Sequence, residues 1–200
     1  MFWNKLLHFG DIELTLALAA AITAWLVAAR AWRMALWWSV LFTLGVGLVG
    51  VNKVAFMAWG ISWHGLNFKA ISGHATGVTA VLPTICYLLL RHRGARARGA
   101  GVGAGLMLGA LMAVLLVVEN EHSAAEALAG WITGATISVG AICMAGAPLP
   151  NRARAHGLLF PMLAFASVAG LMHAVPHGYL MYRTAALISG IGLFPWNAGC

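Results

Sequence analysis

Three groups of polar residues interrupt a chain that is otherwise strongly apolar. In "EHSAAEALAGWITG", His122 and Glu126 stand four residues apart, a spacing that puts them on one face of a helix. A carboxylate within reach of an imidazole N–H fixes the ring's tautomer and stabilises the imidazolium, which suits a nucleophilic or basic histidine. In "FKAISGHATGV", Ser72, Gly73 and His74 open an apolar run. Ser72 is a natural N-cap. The free N–H groups of a helix start beside a glycine form an anion site. His74, on the first turn, is placed to protonate a leaving oxygen. Lys53, inside "GLVGVNKVAFMAWG", either snorkels to the interface or meets an anion. Each group also has a plainer reading: a solvated pair favoured by the helix dipole, a cap followed by an interfacial histidine, and a snorkelling lysine. Together they supply what phosphoryl transfer needs, namely charge neutralisation, a nucleophile and an acid for the leaving group.

The elements that carry these residues are dictated by composition. Of 200 residues, 62% are hydrophobic and 8% are charged, against about 25% charged in soluble domains. Lipid is therefore the expected solvent, and the expected fold is an all-α integral membrane bundle forming one domain over residues 1–200. Six apolar segments of spanning length run over Ile12–Ala29, Met34–Gly60, His74–Leu90, Val102–Val118, His122–Ala145 and Gly157–Ala174. The first is read as a retained span, because Asp11 and Glu13 precede it where a secretory signal would be basic. The tail after Pro176 is apolar at helical spacing and either lies at the interface or re-enters the membrane.

Basic residues sort by loop. Arg30 and Arg33, then Arg91, Arg93, Arg96 and Arg98, then Arg152 and Arg154 follow the first, third and fifth segments. Lys5, Lys53, Lys69 and Arg183 fall on the other side. The arginine-rich side is expected in the cytoplasm, with the Ser72–His74 and His122–Glu126 stretches outside. The net charge of +7 is thus a topology signal, and no aromatic-basic interleaving suggests nucleic acid. Cys86, Cys143 and Cys200 lack metal or disulfide spacing. Gly101, Gly105 and Gly109, and Gly130 and Gly134, recur every four residues, which favours close helix packing.

The order Lys53, then Ser72-Gly73-His74, then His122-x-x-x-Glu126 resembles the three-part signature of the type 2 phosphatidic acid phosphatase family, and is most like small bacterial integral-membrane members. The resemblance includes "KVAFMAWGI" leading into "SGHA". It implies an all-helical bundle in the bacterial inner membrane, with its active site facing the periplasm. It further implies hydrolysis of a lipid phosphomonoester or diphosphate, without metal or other cofactor. His122 would then be the nucleophile, Glu126 its orienting carboxylate and His74 the acid. Lys53, Ser72 and the Gly73 amide would bind phosphoryl oxygens. The chain departs from the family pattern at five positions: Gly60 and Ile61 stand where Arg-Pro is usual, Ile71 where proline precedes Ser-Gly-His, and Leu115 and Leu116 where Ser-Arg is usual. Glu119 and Glu121 add negative charge next to the site, and Lys69 is a candidate replacement cation. Two further readings stay open. One is an impaired relative that binds lipid phosphate or scaffolds without turning it over. The other is a haem carrier with histidines on facing helices, which explains neither Ser72–Gly73 nor Glu126.

Overall fold

A computed structural model describes residues 11–146, 159–174 and 177–190. Seven α-helices account for most of them: α1 Ile12–Ala28, α2 Trp32–Trp59, α3 Gly73–Leu89, α4 Ala95–Val118, α5 Ala124–Ala145, α6 Leu159–Ala174 and α7 His177–Ser189. A 3-10 turn, His64–Leu66, lies between α2 and α3, and the described residues contain no strand beyond an isolated Trp63–Phe68 bridge. Lys5, His8, Arg152, Arg154, His156 and Cys200 lie outside the described residues.

Three helices, α2, α4 and α5, are long and apolar enough to cross a membrane. The 28 residues of α2 span about 42 Å at 1.5 Å per residue. Helices α1, α3 and α6 are apolar but shorter, at 17, 17 and 16 residues. Large apolar side chains cover the outside: Leu44, Leu48 and Val51 on α2, Met107, Leu111 and Val114 on α4, Leu128 and Ile132 on α5 are all exposed. Water would penalise that surface and lipid does not.

Helix α3 is the centre of the bundle, with α4 and α5 packed along it and α1 on a third side. Small residues make this possible. A Cβ on Gly105 would lie 2.5 Å from the Cα of Pro83, one on Gly130 2.5 Å from the carbonyl oxygen of Ser72, and one on Gly134 2.5 Å from that of Thr76. The four-residue glycine spacing therefore serves close approach, as expected. The main apolar cluster, at the other end, includes Leu26, Trp38, Phe42, Val81 and Ile137.

Arg30, Arg33, Arg91, Arg93, Arg96 and Arg98 gather at one end, whereas Arg183 belongs to α7 at the other. Arg33 Nη2 donates to the Met144 carbonyl at 3.4 Å, tying the start of α2 to the end of α5. Arg91 stacks over Trp25, 4.7 Å from its ring centroid, at the ends of α3 and α1. One boundary needs correction. Arg96 and Arg98 belong to the first turns of α4, which begins at Ala95 and not near Val102. Arginine is a good helix former, so the helix runs past the apolar stretch, and Arg98 caps the Arg93 carbonyl at 3.0 Å. The tail is also partly accounted for: α7 packs Ala185 and Met181 against Phe56, Met57 and Ala58 at the far end of α2.

Candidate active site

The end of the bundle opposite the arginines collects the polar residues picked out from the sequence. Its scaffold is a pair of helix N-termini. Helix α3 starts at Gly73, with Ser72 as N-cap accepting from the Ala75 N–H at 3.3 Å. Helix α5 starts at Ala124, with Ser123 as N-cap and Glu126 closing a capping box. Their start sites are joined directly, because the Ser72 N–H donates to the Glu126 carbonyl at 3.1 Å.

Glu126 organises the centre. It is 4% exposed. Its Oε2 accepts from His122 Nδ1 and from the Ser123 amide, both at 3.0 Å. Its Oε1 accepts from the amides of Lys69 at 2.7 Å and Ala70 at 3.2 Å. A carboxylate, an acceptor at both oxygens, suits these four donors. The Ile71 amide goes instead to Asn52 Oδ1 at 2.8 Å. The segment 69–72 is thus pinned to α5 and α2 through successive backbone amides.

The His122–Glu126 contact exists, but its geometry differs from the expected one. His122 lies before the N-cap, outside α5, and its own amide donates to the Leu116 carbonyl at 3.2 Å. A left-handed Asn120, with φ of 58°, turns the chain there. The pair meets because Glu126, the third residue of the helix, folds back over the N-terminus as capping-box glutamates do. The Ser-x-x-Glu pattern was the sequence signal for this.

His74 faces His122, with ring centroids 6.4 Å apart and planes tilted by 57°. The side chain of His122 is 7% exposed and that of His74 34%, so the site opens on the His74 side. His74 has a partner that sequence reasoning passed over: its Nε2 lies 3.2 Å from Asp11 Oδ1. In the sequence Asp11 speaks only against a signal peptide, and nothing in local spacing links it to a residue 63 positions away.

Lys53 arrives from α2. Its Nζ lies 3.8 Å from where a Cβ on Gly73 would be, and it is within electrostatic range of both Glu126 and His74. Ser72 is fully buried, with its hydroxyl oxygen occupied as a cap. Gly73 is the first helical residue, so its N–H has no partner within the helix. Lys69 reaches the site through its backbone amide. Glu119 and Glu121 are exposed. No cluster of three or more His, Cys, Asp or Glu among the described residues is arranged to hold a metal ion. Of the positions where the resembled family carries arginine, Gly60 ends α2 in a left-handed conformation and Leu116 is 1% exposed, packed with Ala75, Val78 and Met112.

An apolar cavity of about 240 Å³ lies between α1, α3 and α4, lined by residues that include Thr15, Leu18, Val78, Leu82, Leu111 and Leu115. Its α1 and α3 walls begin one turn below Asp11 and His74.

The chain is 33% identical over 136 residues to an uncharacterized 22.5 kDa protein in the cps region of Klebsiella pneumoniae. The match covers 68% of this chain and 65% of that relative, so it spans just under two thirds of the relative's length. No protein-family profile and no solved structure matches the chain.

Proposed function

We propose that this protein is a membrane phosphohydrolase of the type 2 phosphatidic acid phosphatase kind, acting on a lipid phosphomonoester or diphosphate. The observation that carries the reading is the pair of facing imidazoles, 6.4 Å apart between centroids, each held by a carboxylate, with a lysine ammonium and a helix N-terminus at the same end. The Nδ1–H of His122 donates to Glu126, which leaves Nε2 with the lone pair that attacks phosphorus. The phosphorus–oxygen bond to the lipid breaks as the nitrogen–phosphorus bond forms, and His74 gives its proton to the departing oxygen. Water then attacks the phosphohistidine. His74 takes the proton back, the nitrogen–phosphorus bond breaks and inorganic phosphate leaves. Lys53 and the Gly73 amide neutralise the phosphoryl oxygens throughout.

On this reading α1–α6 cross a bacterial inner membrane, α7 rests at the outer interface, and the site faces the periplasm. The arginines at the opposite end support that orientation. The lipid chain would occupy the apolar cavity beneath His74.

The test is phosphate release without added metal, from phosphatidate, phosphatidylglycerol phosphate and undecaprenyl diphosphate, by wild type and His122→Ala. Release by wild type and none by the variant is expected. Equal rates from both would overturn the reading. One observation favours a second reading, that of a lipid-phosphate-binding protein with little turnover. The two positions that would clamp phosphate with arginine hold a helix-ending glycine and a core leucine. Tight binding of the same lipids with no phosphate released by wild type would select it.

A further inference from the structure

Asp11 occupies the N-cap position of α1, where an aspartate normally turns its carboxylate onto the first free amides of its own helix. It makes no such side-chain bond. Its Oδ1 lies instead 3.2 Å from Nε2 of His74 on a different helix. The capping role is forgone for a contact between elements, which points to a use for that contact.

We propose that Asp11 is the positioning residue for His74, resting on the phosphohydrolase reading for its catalytic meaning. A carboxylate only accepts, so the Nε2 of His74 must be the donor in this contact. That fixes the proton on Nε2 and leaves Nδ1 as the ring nitrogen available to the site. The two imidazoles are therefore used in opposite senses. Glu126 takes Nδ1 of His122 and frees its Nε2, whereas Asp11 takes Nε2 of His74 and frees its Nδ1. In the first chemical step the protonated ring gives the Nδ1 proton to the lipid oxygen. The ring that remains is the Nε2–H tautomer that Asp11 holds. In the second step its Nδ1 lone pair takes a proton from the attacking water, which restores the starting ring. Asp11 touches neither phosphorus nor leaving group and acts only through the ring.

Two measurements on the full-length protein in detergent or nanodiscs test this. The first needs no activity: ring ¹⁵N spectra of the histidines, with His74 assigned by His74→Gln. In the neutral ring, observed above the pH at which it loses its second proton, Asp11→Ala should remove the hydrogen-bonded shift of the His74 Nε2–H and admit the Nδ1–H tautomer, with the His122 signals in place, while Asp11→Glu restores the wild-type pattern. An unchanged His74 ring in Asp11→Ala would overturn the proposal whatever the turnover. The second compares leaving groups. Asp11→Ala should lose roughly 100-fold in turnover of an alkyl lipid phosphate, whose oxygen needs a proton. It should keep its kcat/KM for an aryl phosphate, which reports the first step alone and whose oxygen leaves without a proton. Equal losses of kcat/KM on both substrates would reduce Asp11 to a structural contact and overturn its positioning role. If Asp11→Ala does not fold, the similarly sized Asp11→Leu, which can neither accept nor donate, carries both measurements. If wild type hydrolyses neither substrate while the ring is still released, the phosphohydrolase reading falls and the orientation of His74 by Asp11 stands.

Discussion

At the residue scale, Glu126 carries two tasks that a single substitution separates. In Glu126→Gln, Oε1 still accepts from the Lys69 and Ala70 amides. The new NH2 group, however, faces the Ser123 amide and His122 Nδ1. It would force Nδ1 to accept, putting the proton on the nitrogen that attacks phosphorus in the proposed mechanism. Turnover is expected to fall roughly 10³- to 10⁴-fold, with the thermal transition only slightly lowered. Glu126→Ala removes an acceptor from four donors and is expected to cost about 3 kcal/mol in denaturant unfolding as well. If Lys53 neutralises phosphoryl oxygens as proposed, Lys53→Met should lower kcat/KM roughly 100-fold, with helix content by circular dichroism unchanged. The residues that meet here were legible from sequence where two conditions held: they were costly at membrane depth, and topology put them on one side. Lys53, His74, His122 and Glu126 satisfied both. Asp11 did not, because it precedes its span at an ordinary helix-start position and its partner is set by packing of α1 on α3. The buried state of Ser72 was equally hidden, since a cap residue is exposed or buried according to what packs over it.

At the element scale, the glycines decide whether the two helix starts can meet. Gly130→Ala would drive a methyl into the Ser72 carbonyl, a backbone atom that cannot move aside, so a loss of about 1–3 kcal/mol is expected. A rise in KM should accompany it, because the Ser72–Glu126 link would be stretched. Gly103→Ala is the control: a Cβ there meets nothing within 4 Å, and stability should hold or rise by up to about 1 kcal/mol. Filling the cavity tests its role separately. Leu111→Trp should raise KM for a long-chain lipid phosphate while leaving a short-chain soluble ester unaffected. Helix existence was readable from the apolar runs, and nine of the ten starts and ends of α1 to α5 fell within about two residues of expectation. The start of α4 did not. Arg96 and Arg98 look like loop residues on hydropathy alone, yet their long side chains reach polar surroundings from a helix. Likewise, i, i+4 spacing predicted the His122–Glu126 contact for the wrong reason, since the chain has not yet entered the helix at His122.

At the scale of the whole molecule, one end is cationic and the other carries the paired imidazoles, which makes orientation measurable. In a background without Cys86, Cys143 and Cys200, Glu121→Cys should react with a membrane-impermeant maleimide in intact cells. Arg96→Cys should react only after permeabilisation. The opposite pattern would turn the site towards the cytoplasm and exclude a periplasmic substrate. The contact between Pro83 and Gly105 bears on how such a substrate gets in. Helix α4 meets α3 there backbone to backbone, and α5 does the same at Gly130 and Gly134. Shifting α4 by one residue would ram Ala104 or Leu106 into the pyrrolidine ring, so these helices are keyed like gear teeth. Helix α1 meets α3 differently at the cavity end, through the side chain of Thr15 against Gly77, while its far end is anchored by Leu26 in the core and by Trp25 under Arg91. On the proposed reading the cavity wall nearest His74 is therefore the one built from side chains, and a bulkier residue at Thr15 would press on the Asp11–His74 contact one turn above before it disturbed the rest of the bundle.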